Sequence, residues 1–316
     1  MIRATLLRVL QCPRCGGEFR SGAEELTCQA CAHRVPVHEG IPRFIGDTTN
    51  TAVYFGYMWG AQEERAQPIT KPIAYHLSTM HAALGSPTLE GLILDAGCGE
   101  GIDLASAALD PRCEVIGVEL STGGVATSAA RTRGLERAHI VQADLLGLPI
   151  ISGVFDGAYS YGVVHHTPNP PLAIQEIART LKPGAPLLFY VYEDFSDRAW
   201  YWRLALTAVN SMRVVTTRMP PALLMVLCRV LSPVVYVLLT IPSRHFRWAA
   251  RFPYRHGTHA WSMVGDLFDR LSAPIEKRYS RAGAAALAES AGLEVVAVAQ
   301  ERGWMVHGRK VEELKS

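Results

Sequence analysis

The run LILDAGCGEG, Leu92 to Gly101, limits this chain more than any other feature. Leu92, Ile93 and Leu94 suit a central strand of a parallel sheet, buried on both faces. Asp95 closes the strand, and Gly97, Gly99 and Gly101 follow at alternate positions. Glycine lets a backbone pass close to a ligand. The following IDLASAAL has helical character. Strand, tight glycine turn and helix in that order predict an α/β chain with a ligand at the turn. A dinucleotide fingerprint, G-x-G-x-x-G, would need glycine where Ile102 stands. Asp95 would also be awkward beside a pyrophosphate and comfortable beside an ammonium group.

Further strands follow at regular intervals. CEVIGVELS reads as a second strand ending in Glu119, 24 residues after Asp95. A carboxylate there can accept from both hydroxyls of a ribose. AHIVQADLLGLP is a third, ending in Asp144, an acceptor for an adenine amino group. A fourth runs from Phe155 to Val163 into the polar turn HHTPNP. PLAIQEIARTLKPGAPLLFYVYED then reads as helix, Lys-Pro-Gly stop and fifth strand.

The beginning of the chain is different. Cys12 and Cys15 precede Cys28 and Cys31 in two CxxC knuckles separated by twelve residues. Four thiolates satisfy a closed tetrahedral zinc site, which is structural because no position stays open. So short a segment builds no core alone, and the metal would supply its folding energy. A redox pair and an iron–sulfur cluster are the rivals; facing copies without a βαβ pattern favour zinc. Cys98, Cys113 and Cys228 read as buried thiols. The start of the chain makes a poor signal peptide, since Arg8 breaks its apolar run. The expected compartment is the cytosol.

From Leu92 to Tyr192 the chain resembles the class I S-adenosylmethionine-dependent methyltransferases. The motifs carrying the resemblance are LDAGCGEG, GVELS, QADLLGLP, GVVHHTPNP and LKPGAPLLFY, in the family's order. Residues 8–46 resemble the zinc ribbons that precede some bacterial small-molecule methyltransferases. The resemblance implies a Rossmann-like, seven-stranded, mostly parallel sheet with helices on both faces. It implies S-adenosylmethionine at the strand carboxyl ends, held by Asp95, Gly97, Cys98, Gly99, Gly101, Glu119, Leu120, Asp144, Leu145 and Tyr161. It also implies that AALAESAGLEVVAVAQERGWMVHGRK is the last helix and an antiparallel strand pair. A Rossmann-like domain for another nucleotide is the plain rival. YFGYMWGAQ resembles an aromatic segment of the same enzymes, with Tyr54, Tyr57 and Trp59 either covering the cofactor or packing a helix. The expected organisation is a zinc ribbon at 1–46, a helical linker or cap at 47–90, the core at 91–193, a helical lid at 194–279 and the end of the core at 280–316.

The insertion departs from the family. Residues 198–255 hold nine arginines and no Asp, Glu or Lys. Net charge is +2 overall, so the remainder carries −7. Met219–Ser243 is long enough to span a membrane, which takes ~20 apolar residues. Arg229 near its middle argues against that, at about 2.5–3.5 kcal/mol on insertion scales, and Pro233 adds a kink. The expected form is a helical pair, about 198–218 and 221–241, lying over a substrate pocket. Arg244, Arg247 and Arg251 share one helix face at i, i+3 and i+7. Basic charge beside apolar surface is the composition of interfacial helices, so peripheral membrane contact through 198–255 is a second expectation. A solvated arginine face is the bland one.

For chemistry, methyl transfer asks the protein mainly to position and desolvate. A hydroxyl acceptor also needs a base. His165, His166 and Tyr161 are the candidates at the strand-four turn, with His256 and His259 outside it. The expected function is O- or C-methylation of an apolar or lipid-linked small molecule, with or without phosphate. An RNA methyltransferase is the first alternative. It is disfavoured because the linker lacks a lysine-rich segment and the ribbon lacks a histidine knuckle, so nucleic acid is not the expected partner. A non-catalytic zinc adaptor is the second, opposed by the intact glycine loop with Glu119 and Asp144.

Overall fold

A computed structural model describes residues 2–46, 49–61, 66–86, 88–249 and 257–311. Helix α1 (Ala4–Val9) leads into a four-stranded antiparallel ribbon: β1 (Phe19–Ser21), β2 (Glu25–Cys28), β3 (Arg34–His38) and β4 (Ile41–Pro42). Helices α2 (Asn50–Gly60) and α3 (His76–Leu84) follow. The core then alternates β5 (Gly91–Ala96), α4 (Ile102–Ala108), β6 (Cys113–Glu119), α5 (Thr122–Arg131), β7 (Ala138–Gln142), β8 (Gly157–Tyr161), α6 (Pro170–Thr180) and β9 (Pro186–Val191). The insertion contributes α7 (Trp200–Thr216), α8 (Pro221–Val235), α9 (Ile241–His245) and α10 (Val264–Ser272). The chain closes with α11 (Arg281–Ser290), β10 (Leu293–Gln300) and β11 (Trp304–Lys310).

The large sheet runs β10-β11-β9-β8-β5-β6-β7. Its first five strands in sequence, β5 to β9, are parallel, and only β11 reverses, against β9 and β10. Chain order switches direction between β5 and β8, which opens a crevice at the strand carboxyl ends. The two central strands, β5 and β8, are buried almost throughout, as helices on both sides require.

The ribbon is not an isolated bead. Leu6, Phe19, Leu26 and Val35 share one apolar cluster with Val118, Val141 and Ile150 of the large domain. Arg43 bridges in parallel to Gln142 at the end of β7, and Phe44 N donates to Gln142 O at 2.9 Å. A segment too small to bury its own apolar face completes it against the neighbouring sheet.

The insertion forms the expected helical pair, joined at Thr217–Pro220. Its second arm is longer than expected. Beyond Pro233, which offers no backbone donor, residues Tyr236–Thr240 take a π turn and the helix runs on to His245. Arg251, Arg255 and His256 lie outside the described residues.

Candidate functional site

One cavity opens at the carboxyl ends of β5, β6, β7 and β8. Its floor comes from the strand-end acids. Asp95, Glu119 and Asp144 all line it, together with Glu100 and Asp103 of the glycine turn and first turn of α4. Among the described residues, no lysine or arginine lines it. Five carboxyl groups on one cavity wall favour a cation.

The acids are held in different ways. Asp95 is 4% exposed and accepts from Tyr159 Oη at 2.9 Å. Burial pushes its pKa well up, and the charges of Asp103 and Glu119 push the same way; the Tyr159 bond opposes them. Glu119 accepts from Gly99 N at 3.1 Å, Ser121 N at 2.9 Å and Ser121 Oγ at 2.6 Å. Its carboxylate thus ties the glycine turn to the start of α5. Asp144 accepts from Leu146 N at 2.9 Å. Glu100 pairs with Arg131 at 2.6 Å and accepts from Tyr75 Oη at 3.2 Å.

Among the glycines, Gly97 is the one the cavity needs. Its φ is +91°, and a Cβ there would fall 2.4 Å from Val163. Gly97, Cys98 and Gly99 line the cavity, as do Leu120, Leu145 and Tyr161. Gly101 does not: it packs against Ser128 of α5. Glycine here serves helix approach, not ligand approach.

Behind Leu120 lies a small clamp. Gln142 Nε2 donates to Leu120 O at 3.1 Å and to Thr122 Oγ1 at 3.2 Å, and Arg43 of the ribbon donates to Gln142 Oε1 at 2.9 Å. The ribbon therefore braces the loop that carries Glu119.

The cavity roof is α2. Ala52, Phe55 and Trp59 face inward along one stripe, with Trp59 against Gly99. Tyr54 and Tyr57, expected as cover, point elsewhere. Tyr54 Oη donates to Met219 O at 2.5 Å, and Tyr57 stacks on Phe268 at 6.0 Å. A helix turns 100° per residue, so neighbours in YFGYMW serve opposite faces. The insertion packs on the far face of α2 through Leu224, Met225, Cys228 and Phe268. Of its residues only Ile275 reaches the cavity, among the described residues. It is a second layer rather than a direct wall.

The histidine doublet divides. His166 lines the cavity; His165 is fully buried and does not. His166 Nδ1 lies 2.8 Å from Ile275 O. A carbonyl only accepts, so Nδ1 carries the proton and Nε2 is left with its lone pair. Nε2 has no protein partner. Neither ring nitrogen of His165 has one, and burial drives its pKa well down, so it stays neutral. Tyr161 is sandwiched between His76 at 3.9 Å and Tyr190 at 4.4 Å. Burial pushes its pKa up to about 12, so its phenolate is unavailable near neutrality. His259 lies outside the lining set.

At the ribbon, the four predicted cysteines converge. Their Sγ atoms lie within 4.8 Å of one another, with Cys12–Cys31 at 3.7 Å and Cys15–Cys28 at 3.6 Å. Zinc bonds of about 2.3 Å in a tetrahedron separate sulfurs by about 3.8 Å, so the donor set fits.

Residues 94–189 match the family model of a methyltransferase domain. An uncharacterised protein of Synechococcus is 34% identical over 128 residues, 39% of this chain and 30% of its own. A 24-methylenesterol C-methyltransferase of Oryza sativa subsp. japonica is 30% identical over 184 residues, 55% of this chain and 48% of that one. A ubiquinone/menaquinone biosynthesis C-methyltransferase of Syntrophotalea carbinolica is 36% identical over 100 residues, 31% of this chain and 42% of that one. The chain spans less than half the length of these relatives.

Proposed function

We propose that this chain, whose residues 94–189 match the family model of a methyltransferase domain, is a class I S-adenosylmethionine-dependent methyltransferase that methylates an apolar small molecule. The observation that carries the reading is the cavity with five acids and aromatic walls, lined by no lysine or arginine among the described residues. S-adenosylmethionine, once bound, supplies a sulfonium methyl group for in-line displacement. Asp95 would take its ammonium, Glu119 its ribose hydroxyls and Asp144 its adenine amino group. Gly97 and Gly99 would let the backbone lie against it. Phe55, Trp59 and Tyr161 exclude water and offer apolar surface to the acceptor. The relatives named for sterol and quinone C-methylation support an apolar, lipid-like acceptor. A phosphate on the acceptor would have to meet the insertion's arginines, since no lysine or arginine lines the cavity among the described residues.

His166 is the base we assign for an acceptor that must lose a proton. Ile275 O holds its Nδ1–H, which in the neutral ring leaves Nε2, buried and without a protein partner, as the proton acceptor. The ribbon would hold one structural zinc on Cys12, Cys15, Cys28 and Cys31. The test is calorimetric binding of S-adenosylmethionine followed by an acceptor screen with the labelled cofactor. His166→Gln should leave cofactor affinity unchanged and lower kcat by about 10²–10⁴ for a hydroxyl acceptor. A protein that binds neither S-adenosylmethionine nor its demethylated product would end this reading.

A further inference from the structure

The outer face of the insertion is apolar and, among the described residues, faces no other element. On α8 and its continuation, Leu223, Val226, Val230, Val234, Val237, Leu238 and Ile241 are all exposed, Val230 by 64%. They recur every three or four residues, which is one helical stripe. The opposite stripe, Leu224, Met225, Cys228 and Ser232, is buried against α10 and α2. On α7 the same holds for Trp200, Leu204, Met212 and Val215, with Trp200 exposed by 66%. A soluble surface rarely leaves so large an apolar patch without use.

We propose that this face of α7 and α8 seats on an anionic lipid surface. Charge selects the occupant. Arg203 on α7 and Arg229 on α8 are exposed, as is Arg247 just beyond α9, and 198–255 contains no acid. The inward arginines are already used: Arg213 pairs with Glu276 and Arg198 with Glu193. A second copy seated on this face would bring arginine against arginine with no carboxylate between them. A lipid surface offers hydrocarbon to the stripe and phosphate to the guanidiniums. Exposed Trp200, Tyr201 and Trp261 have the amphipathic rings that favour the headgroup level. Pro221–His245, 25 residues, is long and apolar enough to cross a membrane. Its buried stripe is nevertheless engaged by the core, and Arg229 sits mid-helix, so it lies along the surface rather than through it. The link to catalysis rests on the apolar-acceptor reading: α2, with the cavity on one face and α8 on the other, would stand between bilayer and active site.

The test is flotation of the full chain with vesicles of phosphatidylcholine alone or mixed with phosphatidylglycerol. Binding is expected to the mixed vesicles, to weaken with salt, and to fall at least tenfold in Leu223→Ser/Val230→Ser/Leu238→Ser. Arg229→Gln with Arg247→Gln should weaken it about fivefold per charge, from the ~1 kcal/mol that one basic residue gains near such a surface. Calorimetry of S-adenosylmethionine on each variant separates the two readings: intact cofactor binding without vesicle binding defeats only the docking. Flotation that survives alkaline carbonate would mean a span and overturn the proposal. So would a wild-type dimer that the triple serine variant dissociates, because the stripe would then belong to a second copy. Absence of flotation with any vesicle overturns it as well.

Discussion

The cavity floor and the insertion above it treat charge in opposite ways. Asp95 is buried with the Tyr159 hydroxyl donating to it and other acids nearby, so its charge is penalised. Glu276, at the root of the insertion, also has its carboxylate shielded from solvent but receives Arg213 and Arg278. Burial pushes its pKa up, yet the two guanidiniums outweigh it and the net direction is down. The first arrangement is poised to receive a cation from outside. The second is complete in itself and pins α7 to the segment before α11. A ligand site is the place where the molecule leaves its electrostatics unfinished.

The comparison is sharpened most by deleting one acid from each side. Glu119→Ala removes the carboxylate on which the ribose would depend. Affinity for S-adenosylmethionine, read by calorimetry, should drop by about 1.5–3 kcal/mol per charge-assisted bond lost. Glu276→Gln, by contrast, strands Arg213 and Arg278. It should destabilise the chain by about 3–5 kcal/mol in a denaturant titration, with little change in cofactor affinity where the protein is still folded. If Glu276→Gln instead weakened cofactor binding as much as Glu119→Ala, the two regions would not be independent.

Acid should move the two sites in opposite directions. Glu276, with a lowered folded pKa, contributes stability above the ordinary glutamate value of about 4.3 and loses it as pH falls through the folded value. Asp95, with a raised folded pKa, costs stability above the ordinary aspartate value, and that cost disappears as pH falls below its folded value. Asp95→Asn should therefore raise the thermal midpoint of the apoprotein at neutral pH while removing cofactor binding. An unchanged midpoint with lost binding would show that the buried charge was never costly.

Smaller effects test the join between the regions. Helix α2 rests on α5 at Gly123, where a Cβ would lie 1.9 Å from Gly56 O. Gly123→Ala should cost about 1–3 kcal/mol by overpacking and raise the dissociation constant for the cofactor, because the roof carries Phe55 and Trp59. Arg43→Ala breaks the brace to Gln142; a loss of about 0.5–1.5 kcal/mol, seen as a several-fold weaker cofactor, is expected.

Much of the cavity was legible because its chemistry sits at strand ends. Asp95, Glu119 and Asp144 each close an apolar run, and a continuous apolar run that stops at an acid leaves little freedom. The histidine doublet was not resolvable in the same way. Adjacent residues in the 3-10 turn Val164–His166 diverge, and only tertiary contact decides that His166 meets the cavity. The roof was half legible. YFGYMW announced aromatic cover, but its inward stripe of Ala52, Phe55 and Trp59 could have been read from the spacing of three and four. The brace from Arg43 through Gln142 left no signal, since 99 residues separate its ends. The insertion's helices were legible from apolar periodicity, but not their place behind α2, which depends on which face of α2 takes the larger partner.

The bridge from Arg43 to Gln142 also bears on how the molecule avoids its own kind. An open sheet has two outer strands whose unpaired amides and carbonyls invite another chain. At β7 the ribbon stands against the end of that rim. At β10 the deterrents are a register shift between Val295 and Ala297 and the exposed acid Glu294, irregularity and charge being the usual ways to discourage pairing. One rim is thus guarded by a separate module and the other by its own sequence. Damage to the cysteine cluster would be expected to appear first as clumping during synthesis and recovery, before any loss of methyl transfer by the molecules that remain dispersed.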